Sequence, residues 1–392
     1  MADKIVAISD PHLGQSGTDR LGQYSLLSRR SPNNLVRKFG DAVARFAGSD
    51  SVTLVVTGDL LDLALSYMED ALLDLRELLK EVRIDTLLCI GGNHDRKLVS
   101  LHCEEKNLLA ALRAGRIPSS DPMVPSSKAI YRMRPGVAEP FTVLQPLVDQ
   151  IYGPDKVPVL LAYPSYMEEI PGGALLYFIH GDLFSGIDTK ISELLRDRLA
   201  TLPHDRVAAS VNQPLIELIY WLIGEMGEGM GADGLVEEVY TDLQKGQHGL
   251  IRGLVDQLVA RVFPDGVVPV IPDRIERRWI AELIMDKLRE VLPSPDRVGA
   301  STARHAGVEH TRDALWNWIR LVSPLRERVA DTSRPTHVIY GHTHVADAFQ
   351  FPGTTMFSWN LGSWLIEPGE PLPEPGFLGI HGHGMVQWVR VR

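Results

Sequence analysis

Residues 52–62 read Val-Thr-Leu-Val-Val-Thr-Gly-Asp-Leu-Leu-Asp, an apolar, β-branched run that ends at two carboxylates. A run of this composition predicts a buried strand. Runs 4–9 and 86–91 have the same form, and they lead into Asp10-Pro-His12 and Gly92-Asn-His-Asp95. Apolar residues at helical spacing lie between the three runs, over 35–47 and 69–82. Strand, helix and strand in alternation predict an α/β layered sheet.

Two further polar motifs also follow strand-like runs. His180-Gly-Asp182 follows the run 174–179, and Gly341-His-Thr-His344 follows the run 336–340. Ligands of α/β sheets bind beyond the carboxyl ends of the strands. We therefore expect the motifs to meet at one edge of the fold. Other strand-like runs are 157–162, 355–361 and 385–391.

The chain changes character after Asp182. Residues 187–330 are predicted to be almost wholly helical, with apolar stripes at helical spacing and prolines at the breaks. The candidate helices are 188–201, 206–226, 234–262, 273–291 and 306–330. We interpret the chain as one α/β core, residues 1–186 and 333–392, interrupted by a helical insertion or cap, residues 187–332.

Charge and cysteine content limit the function classes. The 392-residue chain has a formal net charge of -10, which argues against a protein that binds nucleic acid through a generally basic surface. Its two cysteines, Cys89 and Cys103, do not make a disulfide framework. A strand-like run at the start with no charged leader, and no apolar stretch of about 18 residues, predict a cytoplasmic protein without a transmembrane segment. Weak association with a membrane surface stays open.

The motifs supply oxygen and nitrogen ligands for two metal ions. Such ligands suit Mn²⁺, Fe, Zn²⁺ or Co²⁺, and the two oxygens of Asp59 allow it to bridge two ions. Two ions about 3.5–4 Å apart, with no cysteine ligand, suit hydrolysis of phosphate esters by a hydroxide that bridges them. The candidate ligands are Asp10, His12, Asp59, Asn93, His180, His342 and His344.

His94 is not needed as a ligand. An imidazole beside the metals could protonate the leaving oxygen or bind the phosphoryl group, and Asp62 could orient that imidazole. His94 and Asp62 are therefore the candidate catalytic residues. Asp95 and Asp182 are interpreted as residues that orient ligands or shape turns, and His381 and His383 as part of a glycine-rich turn.

Together, the five motifs in this order resemble the calcineurin-like metallophosphoesterase superfamily over about residues 4–183 and 336–365. The resemblance implies a four-layer αββα sandwich and two divalent cations, with Mn²⁺ expected and Fe, Zn²⁺, Co²⁺ or Ni²⁺ as alternatives. It also implies His94 as general acid with Asp62 as its partner. The first metal would be bound by Asp10, His12, Asp59 and His344, and the second by Asp59, Asn93, His180 and His342.

Within that superfamily, the last two motifs and Asn360-Leu-Gly-Ser-Trp364 look most like the UDP-2,3-diacylglucosamine pyrophosphohydrolase branch. That branch typically has arginine at the position of His94 and a shorter insertion. The sequence therefore predicts a phosphomonoesterase or phosphodiesterase acting on a small phosphorylated, nucleotide-like substrate. A UDP-lipid pyrophosphohydrolase, a nuclease and a non-catalytic, metal-bound scaffold that binds a protein partner through the insertion remain alternatives. Oligomeric state is left open.

Overall fold

The structure is a computed structural model that describes most of the predicted core and little of the predicted insertion. The described residues are 4–15, 24–31, 34–63, 66–117, 133–184, 252–253, 256, 278, 281–282, 307–321, 323–331, 333–366 and 374–392. The chain divides into two compact units. The first comprises Met1–Lys106, Met133–Asp182 and Pro324–Arg392; the second comprises Asn107–Arg132 and Leu183–Ser323.

All described strands lie in the first unit. They are β1 (Lys4–Ile8), β2 (Tyr24–Ser25), β3 (Val52–Val56), β4 (Thr86–Ile90), β5 (Ala138–Pro140), β6 (Val159–Ala162), β7 (Ser165–Glu169), β8 (Leu175–Ile179), β9 (Thr336–Tyr340), β10 (Asp347–Gln350), β11 (Met356–Asn360), β12 (Leu365–Ile366), β13 (Gly376–His381) and β14 (Val386–Arg390).

These strands form two main sheets and one two-stranded ribbon. The larger sheet has seven strands in the order β14-β13-β1-β3-β4-β6-β5, with β1, β3, β4 and β6 mutually parallel. The smaller has five, in the order β10-β11-β9-β8-β7, with β8, β9 and β11 parallel. Strands β12 and β2 pair with each other. Each parallel set directs its carboxyl ends, and hence the motifs that follow them, to one edge of its sheet.

The inner faces of the two main sheets pack against each other. One buried apolar cluster contains Val55 and Leu88 from the larger sheet and Phe178 and Ile339 from the smaller. Alternate residues of each strand supply this core, as the period of a β-strand requires. The fold is therefore α/β, with two sheets joined by a shared core.

The described helices are short connections between strands. They are α1 (Leu35–Ala47), α2 (Met68–Glu81), α3 (Arg96–Cys103), a π-helix (Glu104–Leu109), α4 (Ala110–Arg113), α5 (Gln145–Tyr152), a 3₁₀ turn (Asp182–Phe184), α6 (Gly307–Leu321) and α7 (Ser323–Ala330). Among the described residues, no helix is both long enough and apolar enough to span a bilayer.

Helices α1, α2 and α5 cover the outer face of the larger sheet. Phe39 and Phe46 of α1 contact Phe377 of β13 edge to face, with centroids 5.9 and 5.7 Å apart. The Tyr152 hydroxyl of α5 donates to the Leu79 and Val82 carbonyls at the end of α2. These contacts build the helical layer on this side of the sandwich.

The second unit is described mainly through α6. This helix buries Leu315, Trp318 and Ile319, which lie at i, i+3 and i+4 on one face. Trp316, two residues before Trp318, is only partly buried. Residues two apart on a helix lie on different faces, which explains why the two indoles differ in burial. The predicted helices between 188 and 291 lie almost wholly outside the described residues.

The strand and helix predictions in the core agree closely with the structure. Predicted helices 35–47 and 69–82 are found at Leu35–Ala47 and Met68–Glu81. Strands β2, β5, β7, β10, β12 and β13 were not predicted, and neither were the helical segments between Arg96 and Arg113 and at Gln145–Tyr152. Strand β13 contains Gly379, where a Cβ would lie 2.7 Å from the Phe46 ring. The glycine that permits this packing lowers the strand signal.

His337, on β9, is expected to make the fold sensitive to acid. Its side chain is 6% exposed and accepts a 3.0 Å hydrogen bond from the Trp359 indole, and burial lowers its pKa to about 4. The unfolded chain, with an imidazole pKa of about 6.5, binds more protons between these values. Stability from this group is therefore present above pH 6.5 and lost as pH falls towards 4.

We expect the His337→Gln variant to lose less stability on acidification than the wild type, by roughly 2–3 kcal/mol between pH 7 and 4. Glutamine retains an acceptor for Trp359 and does not titrate. Urea unfolding at both pH values measures the difference. Equal losses in the two proteins would mean that His337 does not contribute to acid sensitivity.

Candidate metal centre

The loops after β1 and β3 pair with each other beyond the strand ends. The His12 amide donates to the Asp59 carbonyl at 2.9 Å, and the Asp62 amide donates to the Leu13 carbonyl at 2.9 Å. Parallel pairing thus continues past the regular strands. This pairing places the side chains of the first two motifs beside each other, although His12 and Asp59 are 47 positions apart in the sequence.

Asp95 joins the loop after β4 to this pair. Its buried carboxylate accepts backbone N–H groups of Leu60, Leu61 and Gly92 at 3.1, 2.9 and 3.3 Å. Three backbone donors are satisfied by one side chain, so the two loops are fixed against each other. Asp95 therefore shapes the loops of the centre.

Glycines allow the remaining loops to approach. A Cβ on Gly58, whose φ is +98°, would lie 2.1 Å from the His180 ring nitrogen Nδ1. A Cβ on Gly341 would lie 2.1 Å from an Asp10 carboxylate oxygen. In addition, the Gly341 amide donates to the His180 carbonyl at 2.8 Å. The loops of both sheets thus meet with no space for a side chain between them.

Five of the candidate ligands have left-handed backbone. Asp and His enter this region more readily than most residues, but several in one place are unusual, and such conformations cluster at functional sites. The φ values are 51° at Asp10, 45° at His12, 52° at Asp59, 69° at His342 and 58° at His344.

Asp10, His12 and His344 form the first grouping whose ligand atoms could hold an ion. The Nε2 atoms of the two histidines are 3.2 Å apart, and they lie 3.8 and 3.5 Å from Asp10 Oδ1. Asp10 Oδ2 is occupied by the hydroxyl of Ser9 and by the His342 amide at 2.9 Å. Oδ1 is buried and has no hydrogen-bond partner within the described residues, so it is available to a cation.

A second grouping consists of His180, Asn93, His342 and Asp59, with His180 at its middle. The His180 Nδ1–H donates to the Thr57 carbonyl at 2.9 Å, which directs Nε2 into the centre. This Nε2 lies 2.8 Å from Asn93 Oδ1, 3.2 Å from His342 Nδ1 and 3.3 Å from Asp59 Oδ2. Ligand atoms about 2.0–2.2 Å from one ion lie roughly 3 Å from one another, so these spacings fit a shared cation.

Asp59 lies between the two groupings. Its Oδ2 is 3.7 Å from His12 Nε2 and 3.3 Å from His180 Nε2, and its Oδ1 accepts the His94 amide at 2.8 Å. Two further sets of residues whose ligand atoms could hold an ion include Asp59. One contains Asp59, His12 and His94, and the other contains Asp59, Asp10 and His180. The structure thus brings all seven candidate ligands together, with Asp59 between His12 and His180.

The charges of the centre are strongly coupled. Burial opposes ionisation of Asp59, but the neighbouring His180 outweighs it and holds the pKa of Asp59 well below its usual range. Burial likewise opposes the charge on His180, and Asp59 raises the pKa of this imidazole despite it. Burial and the adjacent His180 lower the pKa of His342 to about 3. Buried carboxylate and imidazole groups in contact are a suitable ligand set for a divalent cation.

Asp62 connects the ligands to His94. Its Oδ1 lies 2.8 Å from His94 Nδ1, and its Oδ2 lies 3.2 Å from His12 Nδ1. Burial opposes ionisation, but His94 and His12 together hold the pKa of Asp62 well below its usual range. One carboxylate therefore orients both a candidate ligand and the candidate acid.

Two further polar residues lie at the centre. Gln15 was not identified from the sequence, whereas the sequence allowed Asn360 either to shape the floor of the site or to form a simple turn at a strand end. Gln15 donates from Nε2 to Asp62 Oδ2 at 2.7 Å. Asn360, for which a simple turn was an equal alternative, donates to the Thr343 hydroxyl at 2.5 Å, between the two histidines of the last motif. Only the position of Asn360 at the end of a strand signalled such a role, and nothing near Gln15 did.

No protein-family model and no curated protein sequence matches this chain. Among solved structures, a dimetal phosphatase from Danio rerio is similar, at 13% identity and a TM-score of 0.30, over 99% of both chains. The phosphopantetheinyl hydrolase from Mycobacterium tuberculosis is similar at 14% identity and a TM-score of 0.26, over 95% of this chain and 98% of the other. TM-scores this low do not indicate a function, so only the chain's own residues can indicate one.

The Gly58→Ala substitution is expected to displace His180 and to lower the metal content. The new methyl group would overlap the imidazole and would also strain a left-handed backbone, at a cost of about 2 kcal/mol or more. Metal analysis and thermal unfolding measure the two effects. Gly48→Ala is the matched control, because Gly48 has a φ of +61° with no atom within 4 Å of a Cβ. Equal metal content in both variants would contradict the contact-based explanation.

Proposed function

We propose that this chain is a dinuclear, metal-dependent phosphoesterase of the calcineurin-like metallophosphoesterase superfamily. The observation that carries the proposal is the convergence of seven candidate oxygen and nitrogen ligands, Asp59 among them. A buried oxygen of Asp10 in this cluster has no hydrogen-bond partner among the described residues. Asp10, His12, Asp59 and His344 would hold one ion. Asp59, Asn93, His180 and His342 would hold the other.

The donor set fits hard or borderline divalent cations. Carboxylate, amide and imidazole groups are present without thiolate, which suits Mn²⁺, Fe, Zn²⁺, Co²⁺ or Ni²⁺. When bound, two such ions would supply positive charge for the phosphoryl oxygens and would lower the pKa of the attacking water. We infer Mn²⁺ as the first ion to test.

The remaining residues of the centre orient groups and move a proton. The Asp62 carboxylate accepts from His94 Nδ1 at 2.8 Å, which leaves Nε2 as the nitrogen that delivers a proton to the leaving oxygen. The His94 side chain is 12% exposed, whereas that of Asp62 is 1% exposed. The imidazole is thus partly exposed while its partner stays buried. This arrangement favours catalysis over a purely structural metal site.

The proposed substrate class rests on the net charge of the chain. A net charge of -10 provides no general attraction for a polyanion, so a small phosphorylated molecule is proposed. Rates on an aryl phosphate monoester and a bis-aryl diester after Mn²⁺ loading distinguish a phosphatase from a phosphodiesterase or pyrophosphohydrolase. No turnover of either substrate with any metal would contradict the proposed function.

Asp59→Asn is expected to abolish binding of both ions. An amide cannot bridge two cations as a carboxylate can, and a central buried negative charge is lost. Metal analysis after dialysis should find less than one ion per chain, and turnover should be undetectable. Asp85→Asn is the control, because the Asp85 carboxylate accepts the Val52 amide at 2.8 Å outside the centre. Two retained ions in Asp59→Asn would show that the ligand assignment is wrong.

His94→Ala is expected to retain metals and lose turnover. A general acid contributes about 10²–10⁴-fold, so kcat should fall by that factor on an ester with a poor leaving group. The fall should be smaller on a nitroaryl ester, whose leaving oxygen needs little protonation. Loss of metals in this variant would instead make His94 a ligand.

A further inference from the structure

We infer that Gln15 is a positioning residue that holds the Asp62 carboxylate in the orientation in which it serves His94. The inference rests on the proposed function and adds to it a residue outside the motifs. Gln15 follows His12 by three positions, and its side chain turns back towards the centre, where it is 1% exposed.

The hydrogen bonds on Asp62 show what Gln15 contributes. Oδ1 accepts from His94 Nδ1 at 2.8 Å. Oδ2 accepts from Gln15 Nε2 at 2.7 Å and faces His12 Nδ1 at 3.2 Å. The Gln15 contact is thus shorter than the His12 contact on the same oxygen. A carboxylate held at both oxygens cannot rotate about its terminal torsion without breaking one of these bonds.

The direction of the Gln15 amide is determined by its partner. An ionised carboxylate only accepts hydrogen bonds, so the amide must present its nitrogen to Asp62. The carbonyl oxygen Oε1 is consequently buried without a hydrogen-bond partner among the described residues. Burying an unsatisfied acceptor is unfavourable. The contact with Asp62 therefore sets the orientation of the amide, with Nε2 towards the carboxylate.

The backbone around Gln15 keeps this side chain in place. The Gln15 amide donates to the His12 carbonyl at 3.2 Å, and the Ser25 amide donates to the Gln15 carbonyl at 3.0 Å. The residue is therefore anchored on both sides. Without the amide donor, Oδ2 would lose a 2.7 Å hydrogen bond, and the carboxylate would be held less firmly in its orientation towards His94.

Gln15→Met tests this role because methionine has similar length and no donor. The readout is the ratio of kcat for 4-nitrophenyl phosphate to kcat for phenyl phosphate, or for the corresponding diesters if the wild type prefers diesters. Proton delivery matters more for the poorer leaving group, so the ratio should rise by about 10-fold or more, while KM changes less than about 2-fold. Gln15→Glu, which places an acceptor against Asp62, should raise the ratio at least as far.

The matched control is Gln145→Met. Gln145 Nε2 also donates to a carboxylate, Asp149 Oδ1, at 2.8 Å, but it lies at the start of α5. This variant should have the wild-type ratio. Because both rates come from one preparation, a partly unfolded sample lowers both and leaves the ratio unaffected.

The outcomes separate this inference from the proposed function. No turnover by the wild type overturns the proposed function itself. A wild type that is active while Gln15→Met and Gln15→Glu retain its ratio overturns the role of Gln15 alone. Loss of bound metal in both Gln15 variants, with both rates falling equally, would also overturn it, since Gln15 would then act through His12 and not through His94.

Discussion

Left-handed backbone at five of the candidate ligand positions is the constraint on which the proposed centre depends. Each such residue costs of the order of 1–3 kcal/mol and persists only where its surroundings hold it. His12 and Asp59 hold each other in this conformation, because the His12 amide donates to the Asp59 carbonyl at 2.9 Å. Aspartate and histidine are also among the non-glycine residues that tolerate this conformation best. The same residue types therefore satisfy the backbone and the chemistry.

The second requirement is that two sheets present their loops to one place. The apolar core between them, with Leu88 on one side and Phe178 on the other, keeps the sheets in contact. Polar contacts then cross between the loops, among them His342 N–H to Asp10 Oδ2 at 2.9 Å and His180 Nε2 to Asp59 Oδ2 at 3.3 Å. A non-directional hydrophobic core thus supports directional contacts that could not assemble on either sheet alone.

Local pattern predicted those elements whose burial is regular. Helix α1 and strands β3 and β4 have apolar residues at the spacing of their structure, and their predicted bounds differ from the observed ones by at most one residue at each end. Strand β7, Ser-Tyr-Met-Glu-Glu, is paired with β8 but has little apolar alternation. Its place in the sheet is set by its pairing with β8, and the residues of β7 by themselves do not indicate that pairing.

For the proposed centre, the sequence by itself determined the kinds of candidate ligand, their order along the chain and their position after strands. Asp10, Asp59 and His342 are each placed by the end of a strand, which is a local property. The tertiary structure alone decided which groups pair. The contact of Gln15 with Asp62 joins positions 47 apart. It depends on the path of two loops through left-handed residues and past Gly58, and that path is set by packing between sheets, not by the residues beside Gln15.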